Sequence, residues 1–144
     1  MHVSEILKNK GSDVVTKGPG DTVLVIAQLL STKNIGAILI RDDRGAVVGI
    51  ISERDIIHAI AVNGARALEM PARDVMTREV ISCTTDDIIT GIMKTMTTRR
   101  VRHVPVIEDG DLKGMVSIGD IVKHRLEETE LEARVMRDYA RTRR

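Results

Sequence analysis

The hydrophobic and polar positions of this chain run through the same order twice. Residues 21–37 and 87–103 match at an offset of 66, and each stretch begins with an acidic residue followed by apolar residues at helical spacing. An apolar run, a polar turn containing glycine, a second apolar run and another helical pattern then follow in both copies. With short strands at residues 14–15 and 80–81, each copy is predicted to fold as strand, helix, strand, strand and helix.

The strongest match lies between residues 49–57 and 114–122. Both read glycine, two apolar residues, serine, two variable residues, aspartate and two apolar residues, at a constant offset of 65. Such a recurrence indicates a duplicated structural unit. We predict a first repeat at residues 4–62, a linker at 63–71, a second repeat at 72–125 and a charged helical extension at 126–144.

Composition narrows the class of protein. The chain has 144 residues, of which 42% are hydrophobic, and it contains no Phe or Trp, so its core must be aliphatic. A lone cysteine, Cys83, cannot form an internal disulfide and suits a reducing compartment. No apolar run is long enough for a membrane span, and the first residues do not resemble a signal peptide. We therefore expect a cytoplasmic protein without membrane contact.

The Ser-x-x-Asp elements Ser52–Asp55 and Ser117–Asp120 have two interpretations. A serine followed by an acidic residue three positions later, before an apolar run, is typical of a helix capping box. Here, however, the element occurs twice, ends a predicted strand, begins a predicted helix and follows a glycine that a strand normally avoids. These features favour a ribose-phosphate site, with the carboxylate accepting hydrogen bonds from the ribose hydroxyls.

The repeated signature resembles that of the cystathionine-β-synthase (CBS) domain, and residues 101–107 and 34–40 are similar to that family's second strand. The resemblance covers about residues 4–125. It implies an α+β fold in which two tandem β-α-β-β-α units pack sheet to sheet as a pseudo-twofold pair, with a C-terminal helix added. It also implies that the clefts bind an adenine-containing regulator: AMP, ADP, ATP, NAD(H) or S-adenosylmethionine.

The same resemblance assigns roles to residues of this chain. Asp55 and Asp120 would hold ribose hydroxyls, and Ser52 and Ser117 would lie beside the ribose or phosphate. Main chain at the starts of the strands would contact adenine. The complete set of expected nucleotide-binding residues is Thr16, Ala37, Ser52, Arg54, Asp55, Ser82, Arg102, His103, Ser117 and Asp120.

The two copies differ in charge. Arg102 and His103 stand where the first repeat has Gly36 and Ala37, and Arg54 precedes Asp55. The cleft near Arg102 and His103 is therefore expected to take a multiply charged phosphate group. For Arg102 the alternative is a solvated helix end, because cations favour a helix C-terminus.

Nothing in the sequence indicates catalysis or a resident metal, since the histidines and Cys83 lack metal-ligand spacing. We expect a stand-alone regulatory module, and also a homodimer, because residues 53–62 are apolar almost all round. The alternative is a ligand-independent dimeric scaffold that recruits a protein partner through its C-terminal helix. The net charge of +1 and the acidic residues of the tail disfavour nucleic-acid binding, despite a cluster of arginines near its end: Arg137, Arg141, Arg143 and Arg144.

Overall fold

Two sheets, one in each repeat, organise the computed structural model, which describes residues 1–142 of the chain. A 3-10 helix, Gly64–Glu69, occupies the predicted linker. In chain order the other elements are α1 (Val3–Lys10), β1 (Thr16–Lys17), α2 (Val23–Lys33), β2 (Ala37–Arg41), β3 (Val47–Ser52), α3 (Glu53–Asn63), α4 (Ala72–Val75), α5 (Ile89–Arg99), β4 (His103–Glu108), β5 (Asp111–Ser117) and α6 (Ile118–Thr142).

The first sheet has the order β1-β2-β3, with β1 parallel and β3 antiparallel to the central strand. The first four residues of β2 are buried, as expected of a strand with neighbours on both sides. The Asp42 side chain organises the turn between β2 and β3, because its Oδ1 accepts hydrogen bonds from the backbone N–H of Arg44 and of Ala46. Gly45 completes this turn with a φ of 83°.

The second sheet pairs β4 with β5 around a two-residue turn. Asp109 and Gly110 both have positive φ, 51° and 80°, which suits the right-handed twist of a tight hairpin. The place of β1 is taken by a single parallel bridge between Cys83 and Val106. Cys83 donates its N–H to the Pro105 carbonyl at 3.0 Å and accepts from the Ile107 N–H at 2.9 Å.

The predicted short strands at residues 14–15 and 80–81 are wrong in position. The observed pairing begins later, at Thr16 in the first repeat and at Cys83 in the second. Thr16 pairs with β2 and Cys83 bridges to β4, the corresponding strand of the second sheet. The second copy stops after one bridge because the chain turns away at once, with Asp87 Oδ2 accepting from the Thr84 N–H at 2.8 Å.

Each repeat contributes its leading helix to the core of the other repeat. In the second core, Val3 and Ile6 of α1 pack with Cys83, Ile89 and other residues of that repeat. In the first core, Ala72 of α4 is fully buried among residues of α2, β2, β3 and α3. Because each core is completed by residues from the other half of the chain, the two repeats form one interlocked unit.

The strand glycines of the repeated signature accommodate these exchanged helices. A Cβ added at Gly114 would lie 2.6 Å from Cδ2 of Leu7 in α1. A Cβ added at Gly49 would meet the side chain of Met76, which follows α4. The close approach that each glycine permits is therefore made by a protein side chain, and the glycines do not support the ribose-phosphate interpretation.

The last helix, α6, extends beyond the body of the protein. Ile121 packs in the second core, but the later apolar side chains are exposed, among them Leu131, Val135 and Met136. Within residues 1–142 no helix is long and apolar enough to cross a membrane. Residues 143 and 144, which end the predicted C-terminal extension, lie outside the described residues. The architecture confirms the predicted α+β pair with a C-terminal helix.

Candidate functional site

The Ser52–Asp55 element forms a capping box where β3 ends and α3 begins. Ser52 Oγ accepts a hydrogen bond from the Asp55 N–H at 3.3 Å, and Asp55 Oδ2 accepts from the Ser52 N–H at 2.8 Å. Asp55 Oδ2 also accepts from the Ser52 hydroxyl at 3.0 Å. The capping interpretation is thus realised, and the box holds the carboxylate of Asp55 in one orientation.

Thr77 supplies the other contact to this carboxylate. Its hydroxyl donates to Asp55 Oδ1 at 3.1 Å. Two backbone hydrogen bonds hold Thr77 beside β3, from Ile50 N–H to the Thr77 carbonyl at 3.0 Å and from Thr77 N–H to the Ile50 carbonyl at 2.9 Å. Asp55 is therefore approached by the chain that follows α4, which belongs to the second repeat.

A cavity of about 400 Å³ opens beside this carboxylate. We call it the Asp55 cleft. Its volume falls within the range of about 300–1,000 Å³ that small-molecule sites occupy. Both repeats form its walls, through Gly36, Ile50, Ser52, Glu53, Arg54, Asp55, Thr77, Glu79, Val80, Ile81, Arg100, Val101, Arg102, His103 and Pro105.

Charges of both signs line the Asp55 cleft. The carboxylates of Asp55, Glu53 and Glu79 are accompanied by the guanidinium groups of Arg54, Arg100 and Arg102. Arg100 caps the C-terminus of α5 in the left-handed conformation, with a φ of 54°. The neighbouring Arg99 does not line the cleft, but it forms an exposed 2.7 Å ion pair with Glu79, which does.

His103 lies between the two halves of the protein. It begins β4 opposite Ser117 of β5, and its ring Cε1 would be only 3.2 Å from a Cβ at Gly36. Burial lowers the pKa of His103, and the Lys10 ammonium lowers it further, while the carboxylates of Asp120 and Glu53 act in the opposite direction. At neutral pH the ring of His103 is uncharged. Of the two residues expected to supply positive charge, Arg102 and His103, only Arg102 does so.

The second element, Ser117–Asp120, repeats the capping box but has a different third partner. The Ser117 N–H donates to Asp120 Oδ2 at 2.8 Å, and Ser117 Oγ accepts from the Asp120 N–H at 3.2 Å. Lys10 Nζ then donates to Asp120 Oδ2 at 2.7 Å. Partial burial raises the pKa of Asp120, but the hydrogen bonds from Lys10 and Ser117 outweigh it and hold that pKa below its usual range.

The expected binding residues are thus divided by the structure. The Asp55 cleft brings together Ser52, Arg54, Asp55, Arg102 and His103. The other expected residues do not line it: Thr16, Ala37, Ser82, Ser117 and Asp120. Within residues 1–142, no group of three or more His, Cys, Asp and Glu side chains could hold a metal ion.

A family model of the CBS domain matches residues 3–62 and again residues 72–127. The chain belongs to the CBS-domain family. It holds two CBS repeats, and each repeat's match includes the leading helix that packs on the other.

Relatives share most of the length of this CBS pair. The mitochondrial CBS domain-containing protein CBSX3 of Arabidopsis thaliana is 33% identical over 150 residues, covering 95% of this chain and 73% of that protein. The CBS-domain containing protein ATU1752 from Agrobacterium tumefaciens superimposes with a TM-score of 0.84 at 42% identity, over 86% of this chain and 92% of that one. The CBS domain pair of protein MJ0100, solved in complex with 5′-methylthioadenosine and S-adenosyl-L-methionine, gives a TM-score of 0.79 at 27% identity, over 89% and 98%.

Sequence reasoning missed Thr77, Glu79 and Arg100 as residues of the Asp55 cleft. Thr77 and Glu79 follow α4, whose sequence position places it in the second CBS repeat although it packs on the first. The signal that could have found them is the pair of strand glycines, because each requires a side chain from another part of the chain to approach.

Proposed function

We propose that this CBS pair is a regulatory module that binds an adenine nucleotide in the Asp55 cleft. Asp55 carries the proposal, because the capping box fixes its carboxylate at the edge of a cavity that is large enough for a nucleotide. The ligands printed for protein MJ0100, 5′-methylthioadenosine and S-adenosyl-L-methionine, both contain adenosine and support this class of ligand. The candidates for this chain are AMP, ADP, ATP, NAD(H) and S-adenosylmethionine.

Each wall of the cleft suits one part of a nucleotide. Asp55 accepts hydrogen bonds from the two ribose hydroxyls, with Ser52 beside them. The aliphatic side chains of Val80 and Ile81 contact the adenine ring, since within residues 1–142 no Phe, Tyr or Trp lines the cleft. The phosphates meet the guanidinium groups of Arg54, Arg100 and Arg102. With three guanidinium groups present, we favour a phosphorylated ligand over S-adenosylmethionine.

The role is regulatory and not catalytic. The nucleotide acts through the shape of the pair, because a ligand that contacts both repeats stabilises their arrangement by mass action. Burial raises the pKa of the Cys83 thiol to about 12, so this side chain is not a nucleophile at neutral pH. An unpaired cysteine in the core also suits the cytoplasm, where thiols stay reduced.

The regulatory unit is a homodimer that pairs through α3 and the beginning of α6. Ile57 of α3 is 67% exposed, and Val122, at the matching position of α6, is 52% exposed. Ile60 and Leu126 extend this apolar surface. Large side chains left open at matching places in both repeats form a surface that a twofold partner can cover with the same residues.

A second candidate function is a dimeric scaffold that works without a ligand and recruits a protein partner through α6. The exposed apolar side chains of Leu131, Val135 and Met136 favour it, because they leave an uncovered stripe on the distal part of that helix. The two functions differ in one respect that can be measured, which is whether nucleotides bind.

Calorimetric titration of the purified protein with the candidate nucleotides tests the proposal. Asp55→Asn should weaken binding by about 1.5–3 kcal/mol, because it removes the charge from the ribose acceptor. Asp43→Asn is the matched control, since Asp43 is an exposed turn residue far from the cleft lining. If no candidate binds at millimolar concentration, or if both variants lose the same affinity, the sensor function is refuted and the scaffold function is favoured.

A further inference from the structure

The two capping boxes differ in the group that meets the aspartate from the exchanged segment. At Asp55 that group is the neutral hydroxyl of Thr77, at 3.1 Å. At Asp120 it is the ammonium of Lys10, at 2.7 Å. The two carboxylates are equivalent in the repeated signature, but within residues 1–142 only Asp120 is paired with a cation of the chain.

Lys10 is held over Asp120 by two contacts. Its Nζ donates to Asp120 Oδ2 and also to the Met115 carbonyl of β5, at 2.8 Å. Lys10 is the last residue of α1, which is anchored by Val3 and Ile6 in the second core. The packed helix α1 therefore positions the Lys10 ammonium, which donates hydrogen bonds to the Asp120 carboxylate and to β5.

This arrangement places Lys10 where a ribose would have to bind. Ribose hydroxyls would donate to the carboxylate of Asp120, whose Oδ2 already accepts from Lys10 and from the Ser117 N–H. A charge-assisted hydrogen bond is stronger than one from a neutral hydroxyl. A nucleotide would therefore have to displace the ammonium before it could use this acceptor.

A smaller cavity adjoins Asp120, but it is not the counterpart of the Asp55 cleft. The cavity there has a volume of about 230 Å³, below the range of about 300–1,000 Å³ that is usual for small-molecule sites. It opens between α1 and α6 and is lined by Ile6, Asn9, Lys10, Asp120, Lys123, His124 and Glu127. Neither Ser117 nor the start of β2 reaches it.

We propose that the carboxylate of Asp120 belongs to a latent nucleotide site closed by Lys10, so that the chain binds one nucleotide, at Asp55, and gains a second site when the lysine head group is removed. This inference rests on the proposed function, because it takes the Asp55 cleft as the working nucleotide site. Lys10 is a tethered competitor that determines how many nucleotides bind, and it takes no part in binding at Asp55.

Titration with AMP and with ATP on a set of variants tests this inference. We expect wild-type protein to bind one nucleotide per chain and Lys10→Met to bind a second, with affinity at Asp120 raised by about tenfold or more. Lys8→Met is the control, because it removes the same charge from an exposed position of the same helix. Melting temperatures of all variants show whether the fold is retained.

The Asp55→Asn background separates this inference from the proposed function. Asp55→Asn alone should lose binding, and Asp55→Asn with Lys10→Met should recover it. Failure of wild-type protein to bind would overturn the proposed function, whereas recovery in the double variant would still support the latent site.

If the double variant does not bind nucleotide while wild-type protein does, the latent site is overturned. The same result follows if wild-type protein binds two nucleotides with equal affinity. A readout without nucleotide is the side-chain NMR titration of Asp120, whose pKa should rise in Lys10→Met and stay unchanged in Lys8→Met. An unchanged pKa in Lys10→Met would also overturn the inference.

Discussion

Replacing Gly49 by alanine tests whether the two CBS repeats are interlocked through their leading helices. A Cβ at this position would lie 2.8 Å from Cγ and 3.1 Å from Cβ of Met76, and closer still to Sδ. Rotation of the methionine side chain can move Sδ and Cγ, but its Cβ is fixed by the backbone. The added methyl group must therefore displace either β3 or the segment that follows α4.

The expected cost follows from this overlap. Overpacking a core with an extra methyl group typically destabilises a protein by about 1–3 kcal/mol. For a chain of this length each kcal/mol corresponds to ~3 °C in Tm, so Gly49→Ala should melt ~3–9 °C lower. Gly91→Ala is the control, because a Cβ in that helical position meets nothing within 4 Å. It should be neutral or stabilising, since alanine is the better helix former.

A double-mutant cycle identifies the partner. Met76→Ala removes Cγ and Sδ, the two atoms that overlap most with the new methyl group, so Gly49→Ala should cost less in that background, with a coupling energy of ~1 kcal/mol or more. Chemical denaturation of the four proteins measures this coupling. Additive costs would mean that the segment after α4 does not pack on Gly49. An unchanged Tm with weaker AMP binding would restore the view that the glycine makes room for a ligand.

Three further predictions concern the cleft and the tail. The folded state lowers the pKa of His103 below 6.5, so its contribution to the free energy of unfolding should be fully present above that pH and should be lost as the pH falls through the lowered value. His103→Gln should remove this contribution to acid destabilisation, as Tm measured against pH would show. Arg102→Ala should weaken ATP more than adenosine, because the lost charge acts only on phosphate, and equal losses in calorimetry would assign Arg102 a structural role. Deletion of residues 131–144 should weaken the proposed homodimer, as measured by light scattering, and leave AMP affinity unchanged. An unaltered dimer would contradict docking of the tail on its own dimer.

The order of elements could be predicted because the repeated pattern is local. Each apolar run, turn and cap is encoded within a few residues, and Ser52 with Asp55 shows this well, since both members of the box lie in one turn of chain. The start of α6 at Ile118 follows from the same local box at Ser117. Local patterns of this kind predicted the order of elements. The resemblance to the CBS domain then supplied ten expected binding residues, of which five line the Asp55 cleft.

The exchange of leading helices could not be predicted from those patterns. Helical spacing shows which face of α1 is apolar, but it does not say which of two similar cores that face enters. Val3 packs in one core with Ile89, which lies 86 residues later, and Ala72 packs in the other core with Ile26, which lies 46 residues earlier. Thr77 could not be predicted for the same reason, because its hydroxyl donates to the carboxylate of Asp55, 22 residues earlier in the chain.

The difference between the two carboxylates arises outside the repeated signature. Duplication preserved both capping boxes, and each box fixes its aspartate by hydrogen bonds within one turn. The partner of each aspartate comes instead from an exchanged segment, where the sequences have diverged, so that threonine meets Asp55 and lysine meets Asp120. A motif that recurs intact therefore predicts two equivalent carboxylates but not two equivalent sites. We therefore expect a single substitution at Lys10 to change the number of nucleotides bound while every residue of the signature stays the same.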